Sequence, residues 1–320
     1  MHKNEVTVPI FFSADDNYID LLEVAIRSIS DTSSGENTYD IYILNTGLSK
    51  EHIDIISSYK TSHININFTD VSKDINAIND KDALRLRDYY SKTIYYRLFI
   101  PKLFPDIKKA IYLDADVVLV DDIANLFRID LGDNMVGGVM DEVVATDPVF
   151  REYSLKSLGL DYTHYFNSGM LLMNLDELRK VQLEETFFYL FNNFDFKTIA
   201  PDQDFLNEIC KGKVTYLEAG WDKMPIPEPD FKEEDLHLIH FNMFEKPCLY
   251  HDILFENHFW KYAKKTSAYE RLLQRRDNYT DQDKENDKQG RINMLTQAKE
   301  ISDSPMTLQT AFAAYTKMDK

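Results

Sequence analysis

Cysteine is scarce. Cys210 and Cys248 are the two in 320 residues, and no Cys-x-x-Cys pair occurs. That argues against a cysteine-ligated zinc site or a disulfide framework and fits reduced, buried thiols in a cytoplasmic protein. Long apolar runs are also missing: none approaches the roughly 20 residues that span a bilayer. The opening "MHKNEVTVPIFFSADDN" has an apolar run of strand length. It lacks a secretory core of roughly 7–15 apolar residues followed by a cleavage site. An unexported chain is expected, which makes the sequons at Asn67 and Asn278 chance matches. Positive charge is in deficit: 36 Lys and Arg stand against 54 Asp and Glu, a net charge of -18. Such a surface disfavours nucleic acid and anionic membranes as generic partners. It leaves room for an anionic ligand held by a metal ion or a few lysines. What is present is a 44 % hydrophobic fraction with 13 % aromatics, enough for a sizeable core.

The first third alternates strand and helix signals. "VTVPIFFSA" reads as a buried strand. "YIDLLEVAIRSI" follows, with Tyr18, Leu21, Leu22, Ala25, Ile26 and Ile29 on one helical face. "YDIYILNTG" is a second strand, "LSKEHIDIISSYK" a helix with Ser49 as N-cap, and "HININFTDV" a third strand. This alternation predicts an α/β fold on a mainly parallel sheet flanked by helices. "TIYYRLFIPKLF" is expected to be a helix stopped near Pro101, and "KKAIYLDADVVLV" a further strand. "MVGGVMDE" and "HYFNSGMLLMNL" are strand-like, and "LDELRKVQLEETFFYLFNNF" reads as one long amphipathic helix. "PDQDFLNEICKG" is a short helix between Pro201 and Gly212, and "KVTYLEAGWD" and "LHLIHF" are late strands. Past Trp260 the chain turns polar. "RRDNYTDQDKENDKQGR" suggests a solvated helix or linker, and "TLQTAFAAYTKM" a docking terminal helix. The expected division is residues 1–265 as the catalytic domain and 266–320 as a polar helical extension, partly flexible.

Asp114 and Asp116 interrupt the apolar run "IYLDADVVLV". In a parallel α/β sheet, ligands sit beyond the carboxyl ends of the strands. Two carboxylates two residues apart share a face of a strand and repel unless something positive lies between them. A hard divalent cation, Mg2+ or Mn2+, meets that need. The bland alternative is a strand end and turn, with Asp121 capping "DDIANLF". An EF-hand does not fit, because Val118 and Leu119 stand where that loop wants an oxygen ligand and glycine. Further polar residues interrupt apolar runs at Asp15, Asp16 and Asn17, at Asp141, at Asn167, in "PDQD" and at His240, with Lys246 downstream. Each alone has a capping or core reading.

Together these segments resemble glycosyltransferase family 8, whose members are retaining transferases of the GT-A fold that use UDP-hexoses. The resemblance runs from about Val6 to about Lys265 through "FFSADDNYIDLLEVAIRSI", "YYRLFIPKLFPDIKKAIYLDADVVLVDDI", "YFNSGMLLMNLDELR", "PDQDFLN", "LIHF", Lys246–Pro247 and "FWKYAKKT". It implies that Ser13, Asp15, Asn17 and Tyr18 bind uridine and ribose. Asp114, Ala115 and Asp116 would bind the diphosphate and Mn2+, His240 would complete the metal shell, and Lys246 would contact the diphosphate. Arg97, Asp141, Asn167, Asp202 and Gln203 would line the donor-sugar pocket. The family often has Gly-Pro after the histidine segment and Trp after Lys-Pro. Here Met243, Phe244 and Cys248 depart from that pattern.

The resemblance implies a Mn2+-dependent retaining transferase moving glucose or galactose from a UDP-sugar to a glycan, lipid-linked or protein-linked acceptor. It would work in the cytoplasm, at the inner face of the membrane, with "KYAKKTSAYERLLQRR" leaving room for peripheral membrane contact. An amide is a poor nucleophile, so the reading favours front-face attack with Gln203 stabilising an oxocarbenium-like centre. Two alternatives remain: a non-catalytic sugar-nucleotide-binding module, and a phosphatase of the haloacid dehalogenase type, whose strand-end aspartates "IYLDADVV" resembles.

Overall fold

The computed structural model describes residues 5–75 and 92–318. The chain opens with β1 (Thr7–Ser13), α1 (Ile19–Thr32), β2 (Thr38–Asn45), α2 (Lys50–Ser57), β3 (Ile64–Asp70) and a single turn, α3 (Ser72–Ile75). The Ser49 side chain accepts from the His52 amide and caps α2. β3, β2, β1 and β4 (Lys109–Leu113) lie side by side, all parallel. Their in-facing residues, among them Val8, Ile10, Ile41 and Ile111, are fully buried.

Three expectations are corrected before the middle of the chain. "TIYYRLFIPKLF" is a 3₁₀ helix, Lys92–Phe99, that passes into α4 (Ile100–Leu103). Pro101 is the second residue of that last turn instead of stopping the helix, as its missing N–H allows in the first turn of a helix. The aspartate segment is two strands. β4 ends at Leu113, and β5 (Val117–Leu119) leaves the main sheet for a two-stranded one. Asp122, not Asp121, accepts the Ala124 amide at the start of α5 (Ala124–Phe127).

Next come β6 (Val136–Gly138), α6 (Glu142–Thr146), α7 (Pro148–Tyr153) and β7 (Met170–Asn174). The expected long helix is two, α8 (Leu175–Lys180) and α9 (Leu183–Asn193). Gln182 breaks it in a left-handed conformation, φ 49° and ψ 55°. Then follow α10 (Pro201–Ile209), β8 (Val214–Tyr216) and β9 (Leu238–His240). The main sheet has the order β3-β2-β1-β4-β7-β6-β8, with β7 antiparallel to both its neighbours. Helices α11 (Glu256–Ala263), α12 (Tyr269–Asp277), α13 (Asp281–Ser302) and α14 (Leu308–Met318) finish the chain.

The polar tail is helical and docked. A capping box of Thr280 and Asp283 starts α13. Gly290, Met294, Ala298 and Ile301 are its buried stripe, packed on a cluster with Phe150 and Tyr153 of α7. Leu308 and Ala311 of α14 join the main core beside Leu206.

Candidate active site

The ends of β1 and β4 point to one edge of the sheet, and the site is built there. The Asp114 amide donates to the Gly169 carbonyl at 2.7 Å, which ties the aspartate turn to the start of β7. β5 begins one residue past Asp116, and its Val117 pairs with His240 of β9. The Phe241 amide donates to the Asp116 carbonyl at 3.0 Å. The departure of β5 from the main sheet therefore brings His240 beside the two aspartates across more than a hundred residues.

Each of the three side chains has one atom restrained and one left over. Asp114 Oδ1 accepts from Arg97 at 2.7 Å and from the Tyr112 hydroxyl at 2.9 Å. Asp116 Oδ2 accepts from Lys246 Nζ at 2.5 Å. His240 Nδ1 lies 3.0 Å from Asp222 Oδ1. The remaining atoms converge: His240 Nε2 is 3.3 Å from Asp116 Oδ1 and 3.9 Å from Asp114 Oδ2. Among the described residues, Asp116 Oδ1 and His240 Nε2 are buried without a hydrogen-bond partner. Buried polar atoms are otherwise almost always satisfied. Gly169 borders the same space. A Cβ there would lie 2.1 Å from His240 Cε1 and 2.9 Å from Asp114 Oδ2. These three residues could hold a metal ion. Two carboxylates and an imidazole fixed through its second nitrogen suit Mn2+ or Mg2+.

The electrostatics agree with a site built for a cation. Burial disfavours a charge on His240, but Asp222 and Asp116 outweigh it and push its pKa up to about 10. Burial alone would raise Asp116, and Lys246 and His240 instead hold it well below the carboxylate range. A metal at this point would take the place of the proton that these carboxylates attract.

A second network runs from Arg97 into the neighbouring cavity. Arg97 Nε is 3.1 Å from Asp202 Oδ2, and the guanidinium lies 4.2 Å above the Tyr112 ring centroid. Ser168 Oγ donates to Asp202 Oδ2 at 3.0 Å. Gln203 is held at both ends: Oε1 accepts from the Ser168 amide at 2.9 Å, and Nε2 donates to Asp141 Oδ2 at 3.0 Å. Asn167 donates to the same Asp141 oxygen at 2.9 Å, while the other caps α6 through the Val144 amide. Pro201 at the start of α10 aims Asp202 and Gln203 at this network.

Two joined cavities meet at Arg97 and Asp114. Asp141, Asn167, Asp202, Gln203 and His240 line the smaller, of about 640 Å³. Ser13, Tyr18, Ala115, Asp116 and Lys246 line the larger, of about 1050 Å³ with its open mouth. The sequence-expected residues thus come together, with two exceptions. Asp15 and Asn17 line neither cavity. Asp15 Oδ1 accepts from the Asn17 amide, forming the turn before α1, and Asn17 is exposed. Sequence reasoning missed Asp222, Gly169, Ser168 and Tyr112. Asp222 alone left a trace, as a charged break in "YLEAGWDKMPIP". Met243, at a position that diverges from the family pattern, keeps a left-handed φ of 62° and lines both cavities.

The family profile "Glycosyl transferase family 8" matches residues 9–251. A Haemophilus influenzae protein, named as a candidate glycosyltransferase, is 28 % identical over 231 residues, covering 72 % of this chain and 67 % of that one. The lipopolysaccharide 1,2-glucosyltransferase of Escherichia coli K12 is 26 % identical, covering 79 % of this chain and 78 % of that one. The structure of galactosyltransferase LgtC in complex with donor and acceptor sugar analogs superposes with a TM-score of 0.64. It is 24 % identical, with 81 % of this chain and 96 % of that one covered. At that identity the likeness shows a shared GT-A fold. The profile match sets aside the phosphatase alternative, and the chain belongs to glycosyl transferase family 8.

Proposed function

We propose that the protein is a metal-dependent, retaining hexosyltransferase that takes glucose or galactose from a UDP-sugar. The observation that carries this reading is the convergence of Asp114, Asp116 and His240 on one space, with buried Asp116 Oδ1 and His240 Nε2, neither hydrogen-bonded among the described residues, facing it. These residues would hold Mn2+, or Mg2+ in its place, and the ion would act as a Lewis acid on the departing diphosphate. Lys246, buried on the wall of the larger cavity, adds positive charge where the diphosphate charge grows. Ser13 and Tyr18 line the same cavity and are assigned to the nucleoside.

Arg97, Asp141, Asn167, Asp202 and Gln203 are assigned to the sugar. Both polar ends of the Gln203 amide are engaged, which fixes its orientation. A fixed neutral amide suits the stabilisation of an oxocarbenium-like centre better than nucleophilic attack. This supports front-face substitution, in which the leaving phosphate accepts the acceptor's proton. The acceptor is assigned by class only: a glycan, lipid-linked or protein-linked. Relatives named for lipopolysaccharide glucosyl transfer support an envelope glycan, made on the cytoplasmic side of the membrane. Among the described residues no helix is long and apolar enough to cross a membrane.

The test is UDP release from UDP-glucose and UDP-galactose, with and without Mn2+, followed by a screen of glycan acceptors. Mn2+-dependent release from either sugar supports the proposal. Nucleotide binding without release, across the acceptor screen, would favour the non-catalytic module.

A further inference from the structure

α12 lies beyond residues 9–251, the part matched by the family profile. Its orientation is fixed by three neighbouring contacts. Leu272 is fully buried in a cluster with Leu21, Phe241 and Cys248. Arg271 Nε and Nη2 donate to Asp20 Oδ1 at 2.9 and 2.6 Å. The Arg276 guanidinium lies 4.6 Å above the Trp260 ring. With those residues committed, Arg275 falls on the wall of the larger cavity, beside Tyr18, Lys246 and Leu249. The turn into α13 is pinned to the same wall. Asp287 accepts from the Tyr250 hydroxyl at 2.7 Å and the Tyr279 hydroxyl at 2.6 Å, and it too lines the cavity.

Among the described residues, the other cations lining this cavity are already matched. Arg97 pairs with Asp114 and Asp202, and Lys246 pairs with Asp116. Arg275 makes no ion pair or hydrogen bond among the described residues, in a chain with 54 carboxylates. Its charge still reaches the cavity interior. It opposes the burial that raises the Tyr18 hydroxyl and the Cys248 thiol. A planar guanidinium presents paired donors that match phosphate oxygens. We infer that Arg275 is a donor-binding residue that contacts the phosphates of the nucleotide, so that the C-terminal helices complete the donor site. This rests on the UDP-sugar reading given above.

The experiment is calorimetric titration of UDP, UMP and uridine, each with Mn2+, into the full chain and into Arg275→Gln and Arg275→Lys. One lost charge-assisted contact predicts about tenfold weaker UDP binding in Arg275→Gln. UMP should weaken less and uridine should be unchanged, while Arg275→Lys recovers part of the UDP affinity. Arg275 is exposed, so the melting temperature should not move. UDP binding by Arg275→Gln equal to that of the unaltered chain overturns the inference alone. Equal weakening of UDP and uridine would place Arg275 on the nucleoside and overturn the phosphate contact. Failure of the unaltered chain to bind UDP overturns the UDP-sugar reading itself.

Discussion

Gly169 offers a test of the metal site that touches no ligand. Replacing it with alanine adds one methyl group. That group would lie 2.1 Å from His240 Cε1, 2.8 Å from Nε2 and 2.9 Å from Asp114 Oδ2. The first distance is more than 1 Å inside the 3.4 Å where ordinary contact begins. Something must move, and the options are few. His240 is almost fully buried, held through Nδ1 by Asp222 and through its backbone by Lys223 and Val117. Asp114 is held by Arg97, Tyr112 and the Gly169 carbonyl. Overpacking of this kind costs about 1–3 kcal/mol of stability. Displaced ligands should weaken metal binding by about 10–100-fold, the scale seen when the supports of metal ligands are removed. The assay is Mn2+ titration by calorimetry or electron paramagnetic resonance, with a denaturant melt of the same samples. A Gly169→Ala protein that binds Mn2+ as tightly as the unaltered chain would refute the placement of the metal between Asp114, Asp116 and His240.

Three further outcomes follow from the same geometry. Asp222→Asn should fold normally yet bind Mn2+ about tenfold more weakly, because Asp222 sets the tautomer that leaves Nε2 free for the ion; a titration unchanged from that of the unaltered chain would count against this role. Gln203→Ala should lower kcat by about 10²-fold with little change in KM for the UDP-sugar, as expected for a group acting on the developing charge; a loss confined to KM would move Gln203 to ground-state binding. Burial pushes the Asp204 carboxyl up to about 6, despite hydrogen bonds from Tyr165, Tyr153 and the Ile199 and Ala200 amides. The folded chain therefore holds this proton after the unfolded chain has lost it, so stability falls as pH rises from about 4 to about 6. Across that window wild type should lose about 3 kcal/mol relative to Asp204→Asn by chemical denaturation, and parallel profiles would contradict it.

Much of the scaffold was legible because it rests on local periodicity. The first three strands, α1 and the Ser49 cap follow from patterns within a dozen residues. The aspartate pair was legible because charge in an apolar run is rare without compensation. What was not legible depends on distant partners. "VVL" of β5 is apolar in either sheet, and only pairing with β9 decides where it goes. The break at Gln182 lies inside an unbroken helical pattern and needs a backbone conformation that no side chain there announces. Asp15 and Asn17 are expected binding residues that line neither cavity: the Asn17 amide donates to Asp15 Oδ1 in the turn before α1, and Asn17 faces solvent, a placement that their position in the loop does not reveal. Gly169 and Asp222 matter through contacts with His240, which their spacing in the chain does not reveal. The polar tail read as solvated, since its buried stripe on α13, from Gly290 to Ile301, is narrow and includes two small residues.

The central claim is that Asp114, Asp116 and His240 hold the metal that makes UDP-sugar cleavage possible. UDP release measured for the unaltered chain and for Asp116→Asn, each stripped with chelator and then given back Mn2+, tests it most directly. Release should vanish on stripping, return with Mn2+ in the unaltered chain, and fail to return in Asp116→Asn, whose circular dichroism stays that of the unaltered protein. Release that persists after stripping, or that Mn2+ restores equally in the variant, would contradict it.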